Sequence, residues 1–132
     1  MGNRAVITTK DKQIGIYLHW NGGRDSVEPL LEYCRQKGYA SPERDCYGWA
    51  RMAQVLGNFF GGVHCVGIDS YNRLDTDNWD NGVYIIEDWK IIDREYVRYE
   101  EQTGHDFNDM LKAYDEQMPE SERLGERLEL RG

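Results

Sequence analysis

Arginine, aromatic and asparagine side chains are the residues of this sequence whose types suggest a specific chemistry. Arginines grip phosphates through a planar guanidinium fork, aromatic rings stack on bases, and an asparagine amide can bond a base edge or a ribose hydroxyl. The candidates of these types are Arg24, Arg51, Tyr71, Arg73, Trp79, Asn81, Arg94 and Arg98. Each one alone is more often an ordinary surface residue. Together they favour a nucleotide-like ligand over an enzyme, because the sequence offers no nucleophile or metal motif beside them.

The stretch from Tyr17 to Cys34 contains a candidate anion-binding loop. It runs from a predicted strand through Gly22 and Gly23 into a predicted helix, with Arg24 at the junction. Glycines let backbone N–H groups converge, and the first turn of a helix carries a partial positive charge. A Gly-Gly pair after a strand is also a common plain turn. Two interpretations therefore stay open, a structural corner and one wall of a ligand pocket.

The sequence contains no clear motif for a metal site or for a catalytic nucleophile. The long polar loop over 69–81 matches a calcium-binding loop only in part, because Trp79 takes a ligand position and the flanking helices are missing. The three histidines and three cysteines show no zinc spacing. We therefore expect no catalytic residue, no metal site and no cofactor, and a protein that is not an enzyme.

Charge and cysteine content narrow the classes of partner. The formal net charge of −8 argues against binding along the phosphate backbone of DNA or RNA, but it leaves room for a small anion in a local basic pocket. The three cysteines form no CxxC pair and the first residues show no apolar export signal, so we expect a cytoplasmic protein. No run approaches the ~20 apolar residues of a membrane helix, so we expect no membrane partner. The net charge leads us to expect no nucleic-acid partner either.

Apolar periodicity predicts an α+β fold with a small, mostly antiparallel β-sheet packed with two α-helices, plus a C-terminal helical arm. The segments that predict strands are 3–9, 13–20, 63–68, 83–87 and 89–98. The first helix is predicted from about Asp25, as its cap, to Gly38, and the second from the cap Asp45 to about Phe60.

The last part of the chain differs in composition from the rest. Residues 101–132 are more acidic than the first hundred, and their apolar residues between Phe107 and Met118 have helical spacing. We expect a single core domain over 1–100 and an acidic helical tail over 101–132. The sequence leaves open whether this tail docks on its own domain or contacts another subunit.

Five strings in the first hundred residues resemble the phage anti-Thoeris sponge family. They are Asn3-Arg-Ala-Val-Ile-Thr, Ile16-Tyr-Leu-His-Trp-Asn-Gly-Gly, Tyr47-Gly-Trp-Ala-Arg, Asn58-Phe-Phe-Gly-Gly and Asp80-Asn-Gly-Val-Tyr-Ile-Ile-Glu-Asp-Trp. The resemblance implies a non-enzymatic counter-defence protein of the host bacterial cytoplasm, which captures cyclic ADP-ribose isomers made by bacterial TIR enzymes. It also implies a homo-oligomer with ligand pockets at subunit junctions.

The same resemblance implies a ligand-binding set of arginines on the phosphates, one aromatic stack and one asparagine. By order along the chain these are Arg51, Tyr71, Asn81 and Arg98, with Arg24 as a further candidate. The main alternative is a phage inhibitor that binds a host defence protein directly. That alternative depends on the net charge of −8 and on exposure of Trp79 and Trp89. A third candidate function is a small hydrolase that cleaves the signal.

Overall fold

The computed structural model describes residues 3–98, 101 and 103–132, and it confirms the predicted α+β fold. In this part of the chain the strands are β1 (Ala5–Thr8), β2 (Ile14–Leu18), β3 (Val66–Ser70), β4 (Val83–Glu87) and β5 (Lys90–Glu95). The helices are α1 (Arg24–Gln36), α2 (Cys46–Phe60) and α3 (Phe107–Glu116). Short 3-10 turns lie at Tyr71–Arg73, Glu120–Glu122 and Gly125–Arg127.

The five strands form one mostly antiparallel sheet in the order β3-β2-β1-β4-β5. β1 and β4 are parallel, with Val6 opposite Val83, and the other neighbouring strands are antiparallel. The predicted strand at 63–68 begins three residues later, at Val66. Gly61 and Gly62, with φ of 62° and 91°, turn the chain at the end of α2 before it can become extended.

The main core lies between one face of the sheet and the three helices. Ile7, Ile16 and Tyr84 point into it from the strands, and Leu30 and Leu111 from α1 and α3. All five are fully buried. We call this side of the sheet the helix-covered face.

The acidic tail docks on the same chain, which is one of the two placements that the sequence left open. The Tyr114 hydroxyl in α3 donates to Ser26 O in α1 over 2.8 Å, and the Tyr33 hydroxyl donates to Asp115 Oδ1 over 2.5 Å. The Asp115 carboxylate also accepts the backbone N–H groups of Leu124 and Gly125 at 2.7 and 2.9 Å. One buried carboxylate therefore ties α1, α3 and the chain after α3 together.

The predicted helix caps have different outcomes. Asp45 caps α2 by accepting the backbone N–H of Tyr47 over 3.0 Å, as predicted. The predicted Asp25 cap is wrong, because Gly23 already takes the extended conformation of an N-cap and Asp25 lies inside the first turn. The Asp25 carboxylate instead accepts the backbone N–H of His105 over 2.9 Å.

The opposite side of the sheet, which we call the loop-covered face, has a much smaller core. Val6, Val83 and Ile85 are buried there. The loop predicted from Asp69 begins only at Tyr71, because Asp69 and Ser70 still pair with β2 as the end of β3. The loop over 71–81 crosses this face, and its Leu74 packs so closely that a Cβ added at Gly15 would lie 2.9 Å from Leu74 Cδ1. Glycine at position 15 therefore makes room for the loop.

Candidate ligand-binding region

Most of the predicted ligand residues lie near the end of the sheet where β1 and β4 begin. The backbone joins the strand ends there, since Asn3 N donates to His19 O over 2.9 Å and Asn81 N donates to Arg4 O over 3.0 Å. We call this end, formed by residues 3–4, 19–22, 78–82 and 95–98, the rim. Large exposed side chains of the rim are Trp20, Trp79, Tyr96 and Val97.

The Gly22-Gly23 turn lies at the rim and is tied into the fold. Gly22 N donates to Asn3 O over 2.8 Å, and Gly22 O accepts the Tyr84 hydroxyl over 2.7 Å. A Cβ added at Gly22 would lie 2.8 Å from the Cβ of Ala5, so a larger residue does not fit there. These contacts support the interpretation of this turn as a structural corner.

Arg24 forms a charge cluster with two acids and a second arginine. Its guanidinium contacts Glu28 and, over 3.4 Å, Glu101, and the guanidinium of Arg94 contacts the same Glu101 carboxylate. These bonds raise the pKa of the Arg24 guanidinium, with the hydrogen bond to Glu28 as the largest cause. Arg24 also lines an open cavity of about 730 Å³, together with Asp25, His105 and Arg131. The cavity therefore carries charges of both signs.

Arg94 has a positioning role that the sequence prediction did not assign to it. Its guanidinium lies 3.7 Å from the centre of the Tyr84 ring and donates to Asn81 O over 2.6 Å and to Val83 O over 3.2 Å. Tyr84 and Arg94 are opposite each other in the register of β4 and β5. The hairpin pattern in the sequence predicts neighbouring strands, but only the register places this arginine on this ring.

Asn81 uses its side chain to close the fold. It is 5% exposed, and its Nδ2 donates to Asn3 Oδ1 over 2.5 Å and to Arg4 O over 3.0 Å. The amide therefore fixes the end of the 71–81 loop to the start of β1. A ligand at the rim would meet the exposed neighbours of Asn81 before it met this amide.

Tyr71 covers the loop-covered face and points toward the end of β5. Its hydroxyl donates to Glu95 Oε1 over 3.4 Å, and Lys12 Nζ lies 5.8 Å from the centre of its ring. Burial, reinforced by the negative charge of Glu95, raises the pKa of the Tyr71 phenol. Tyr71 itself follows the end of β3, where its backbone N–H donates to Gln13 O over 2.9 Å. Its backbone therefore lies at the end of the sheet away from the rim, and only its hydroxyl reaches Glu95.

Arg98 and Trp79 form the most ligand-like pair of the rim. The Arg98 guanidinium lies 4.6 Å from the centre of the Trp79 ring and binds the Asp77 carboxylate at 2.6 to 2.9 Å. Trp79 is 60% exposed, and its backbone is held at a φ of 64°, which non-glycine residues seldom adopt. The fold thus holds an exposed indole and a cation together at one site.

A second arginine clamps the same loop. Arg4 Nε donates to Asp80 Oδ2 over 2.8 Å and its guanidinium lies 3.7 Å from Asp75. Burial acts to raise the pKa of the Asp80 carboxyl, but the hydrogen bonds from Arg4 outweigh it and the pKa is lowered. The sequence prediction missed Arg4, because its partners follow it by more than seventy residues.

Arg51 does not join the other predicted ligand residues within one chain. It lies near the start of α2, where it donates to Gln54 Oε1 over 2.6 Å. The start of α2 contacts the 40–42 segment, and Trp89, at the turn before β5, donates through its backbone N–H to Ser41 Oγ in that segment. Arg98 follows the opposite end of β5, and a six-residue strand spans roughly 20 Å.

The predicted exposure of Trp89 is wrong. Its side chain is 5% exposed, and its indole N–H donates to Tyr39 O over 2.8 Å. Asp88 and Trp89 form the turn between β4 and β5 with φ of 54° and 59°, and this turn directs the ring back against the 39–41 segment.

Across residues 3–98, 101 and 103–132, no group of three or more His, Cys, Asp or Glu side chains is placed to hold a metal ion. None of the helices in these ranges combines the length and apolar character needed to cross a membrane.

No protein-family model matches the chain, and neither the curated proteins nor the solved structures contain a match to it.

Proposed function

We propose that this chain is a non-enzymatic phage counter-defence protein that binds and sequesters a cyclic ADP-ribose or cyclic nucleotide immune signal. The observation that carries the proposal is the exposed Trp79 ring with the Arg98 guanidinium 4.6 Å from its centre. An arginine supplies a charge-assisted grip on phosphate and an exposed indole supplies a stacking surface for a base. The two therefore match the two chemical parts of such a ligand.

The neighbourhood of this pair supports the same ligand class. Trp20 is 44% exposed at the rim, so a second indole is available to an aromatic ligand. Asp77 holds the Arg98 fork in the free protein, and a ligand phosphate would take over part of that role. The net charge of −8 is compatible with this, because the cations that matter are local and ordered.

Self-association forms part of the proposal. Arg51 and Arg98 lie near opposite ends of β5, so they would act on one ligand only if a second copy brought Arg51 to the rim. Arg24 would serve such a shared pocket from the cavity beside α1.

The test uses the signal made by a TIR enzyme. The protein is incubated with that cyclic ADP-ribose, free ligand is removed, and the protein is then heat-denatured. We expect depletion of the signal followed by release of the unchanged molecule. Appearance of a hydrolysed product with turnover would support the hydrolase instead, and failure to deplete any member of a cyclic nucleotide panel would reject the sponge.

Substitutions at the rim give the proposal its residue-level test. Arg98→Ala should weaken binding by about 1.5–3 kcal/mol, roughly tenfold to hundredfold, because it removes charge-assisted hydrogen bonds. Arg51→Ala should weaken it comparably if two copies share the pocket. Arg35→Ala is the control and should leave affinity unchanged, since Arg35 is an exposed arginine of α1 that pairs with Glu32 and is not a candidate ligand residue. Calorimetry measures all three, and unchanged affinity in the first two would remove the pocket.

A second candidate function is direct binding of a host defence protein. The exposed Trp20 and Trp79 and the net charge of −8 favour it, whereas the buried Trp89 no longer contributes. It predicts a stable complex with the host protein and no thermal shift with any cyclic nucleotide.

A further inference from the structure

The two edges of the sheet differ in how they are protected against pairing with another strand. β5 carries charged side chains at four of its six positions, and its pairing with β4 is interrupted by a register shift between Ile85 and Ile86. Charges and bulges are the usual means of blocking an edge strand. β3 has one charged residue, Asp69, and its register with β2 is regular over all five residues.

The register of β3 shows which of its backbone groups point outward. His19 N donates to Cys65 O over 2.8 Å and Tyr71 N donates to Gln13 O over 2.9 Å, so the odd-numbered residues of this segment bond toward β2. In an antiparallel pair the direction alternates, so Val66, Ile68 and Ser70 present their N–H and C=O groups to the open edge. Ser70 N is held by the Asp69 side chain over 2.7 Å, which fits this assignment.

Ile68 is the centre of this open edge. It is opposite the buried Ile16 in the register, yet its own side chain is 53% exposed. Val63, just before the strand, is 62% exposed. An outward-directed backbone flanked by exposed β-branched side chains is a template for one more strand.

We propose that β3 pairs with β3 of a second copy of this chain, in antiparallel orientation about a two-fold axis at Ile68. In such a pair, residues whose N–H and C=O groups point to the open edge must lie opposite residues of the same kind. Only registers that differ from one another by an even number of residues satisfy this condition. The register centred on Ile68 pairs all five residues, places Ile68 opposite Ile68 of the partner subunit, and sets Asp69 against an uncharged glycine, Gly67. The requirements of backbone direction and of charge are thus met by the same register.

The neighbouring registers are less favourable. Ile68 opposite Ser70 brings the two Asp69 carboxylates face to face, and like charges directly opposite are destabilising. Val66 opposite Ile68 leaves Ser70 unpaired and places Gly67 opposite Gly67, which forms no side-chain contact. The strand is therefore self-complementary in one register, which favours a second copy over an unrelated strand as the occupant. The result is one continuous sheet across both subunits.

Sedimentation velocity on the full chain tests this proposal with a matched pair of variants. Ile68→Lys places two ammonium groups opposite each other at the axis, so the dimer dissociation constant should rise about tenfold or more. Ile92→Lys is the control, because Ile92 is a 43% exposed isoleucine on the protected edge strand β5. We expect the wild type and Ile92→Lys to form dimers and Ile68→Lys to remain monomeric.

Hydrogen exchange keeps the test decisive if Ile68→Lys fails to fold, as judged by circular dichroism. In the wild type, exchange at the Val66 and Ile68 amides should slow as protein concentration rises, because pairing protects them. Added salt should strengthen the dimer, since each subunit carries a net charge of −8. Any of three results would overturn the proposal. The wild type could be monomeric at every concentration, the dimer could survive Ile68→Lys, or the dimer could be lost only in Ile92→Lys. This test is independent of nucleotide binding.

Discussion

On the helix-covered face, side chains of the strands pack with three helices, and residues such as Leu30, Leu111 and Tyr114 lose nearly all contact with solvent. On the loop-covered face, the buried cluster consists of Val6, Val83 and Ile85 under a single loop. The first face is held by apolar burial, which scales with the area removed from water. The second has little area to bury, so polar contacts do more of the positioning.

The ion pairs on the loop-covered side show the consequence. Arg98 holds Asp77 in an ion pair whose side chains are 39% and 42% exposed, and Arg4 holds Asp80 in a half-buried pair. Exposed ion pairs contribute little stability and the apolar cluster here is small, so the 71–81 loop should open at lower free energy than the helical core. The candidate ligand residues lie where the molecule is easiest to rearrange. Three predictions test this contrast.

The largest effect is expected from Leu111→Ala. Leu111 is fully buried between α3 and the rest of the core, and truncation of such a leucine costs about 2–5 kcal/mol through lost burial and a residual cavity. Urea denaturation monitored by circular dichroism measures the loss. A cost below about 1 kcal/mol would mean that the tail adds little to the core.

The next effect is expected from Asp115→Asn, and it depends on pH. Burial acts to raise the pKa of the Asp115 carboxyl, but hydrogen bonds from Tyr33, Leu124 and Gly125 outweigh it and lower the pKa. A carboxyl with a lowered folded-state pKa stabilises the fold above its unfolded value, near 3.9, and loses that contribution as the pH falls through the folded value.

We therefore expect Asp115→Asn to cost about 1–3 kcal/mol at neutral pH. The difference from the wild type should shrink below about pH 4, where the carboxyl of the unfolded chain begins to take up its proton, and disappear once the folded carboxyl is protonated as well. Denaturant melts of both proteins across an acid series measure the difference. A gap that stays constant down to the most acidic point would show that the charge of Asp115 does not matter.

The smallest effect is expected from Leu74→Ala, the matched substitution on the loop-covered face. Leu74 is only half-buried over Val6 and Gly15, so global stability should fall by about 1 kcal/mol. Amide exchange in the 71–81 loop should speed up more than exchange in α1. An equal loss from Leu74→Ala and Leu111→Ala would contradict the contrast between the two faces.

Local patterns in the sequence were sufficient to predict the helices and strands, but they were insufficient to predict the partners and burial of several side chains. Asp45 caps α2 as predicted, because the capping carboxylate and the Tyr47 N–H group that donates to it lie two residues apart. Trp89 was expected at the surface, but its partner Tyr39 lies fifty residues away. The tail could be predicted as a helix, yet its docking depends on Tyr33 and Asp115, which are separated by 82 residues.

For the candidate site as well, the sequence could indicate residue types but not how the residues are placed. The residue types at positions 71, 81 and 98 could be selected from the sequence, but of these three the structure brings Asn81 and Arg98 to the rim, whereas Tyr71 follows the far end of β3. Arg51 could be selected too, but α2 carries it toward the other end of β5. Arg4 could not be singled out, and the role of Arg94 on the Tyr84 ring could not be predicted, because both depend on contacts that the strand arrangement creates.

By itself, the sequence determined the α+β class, the helices and most strand positions, because these depend on apolar periodicity and on residues within a turn or two of each other. The tertiary structure alone decided that Asn81 closes the fold, that Trp79 is exposed beside Arg98 while Trp89 is buried, and that β3 is left as an unprotected edge. Those outcomes depend on which distant segments become neighbours. Strand order and register determine the neighbours, and a local sequence pattern carries no information about strand order or register.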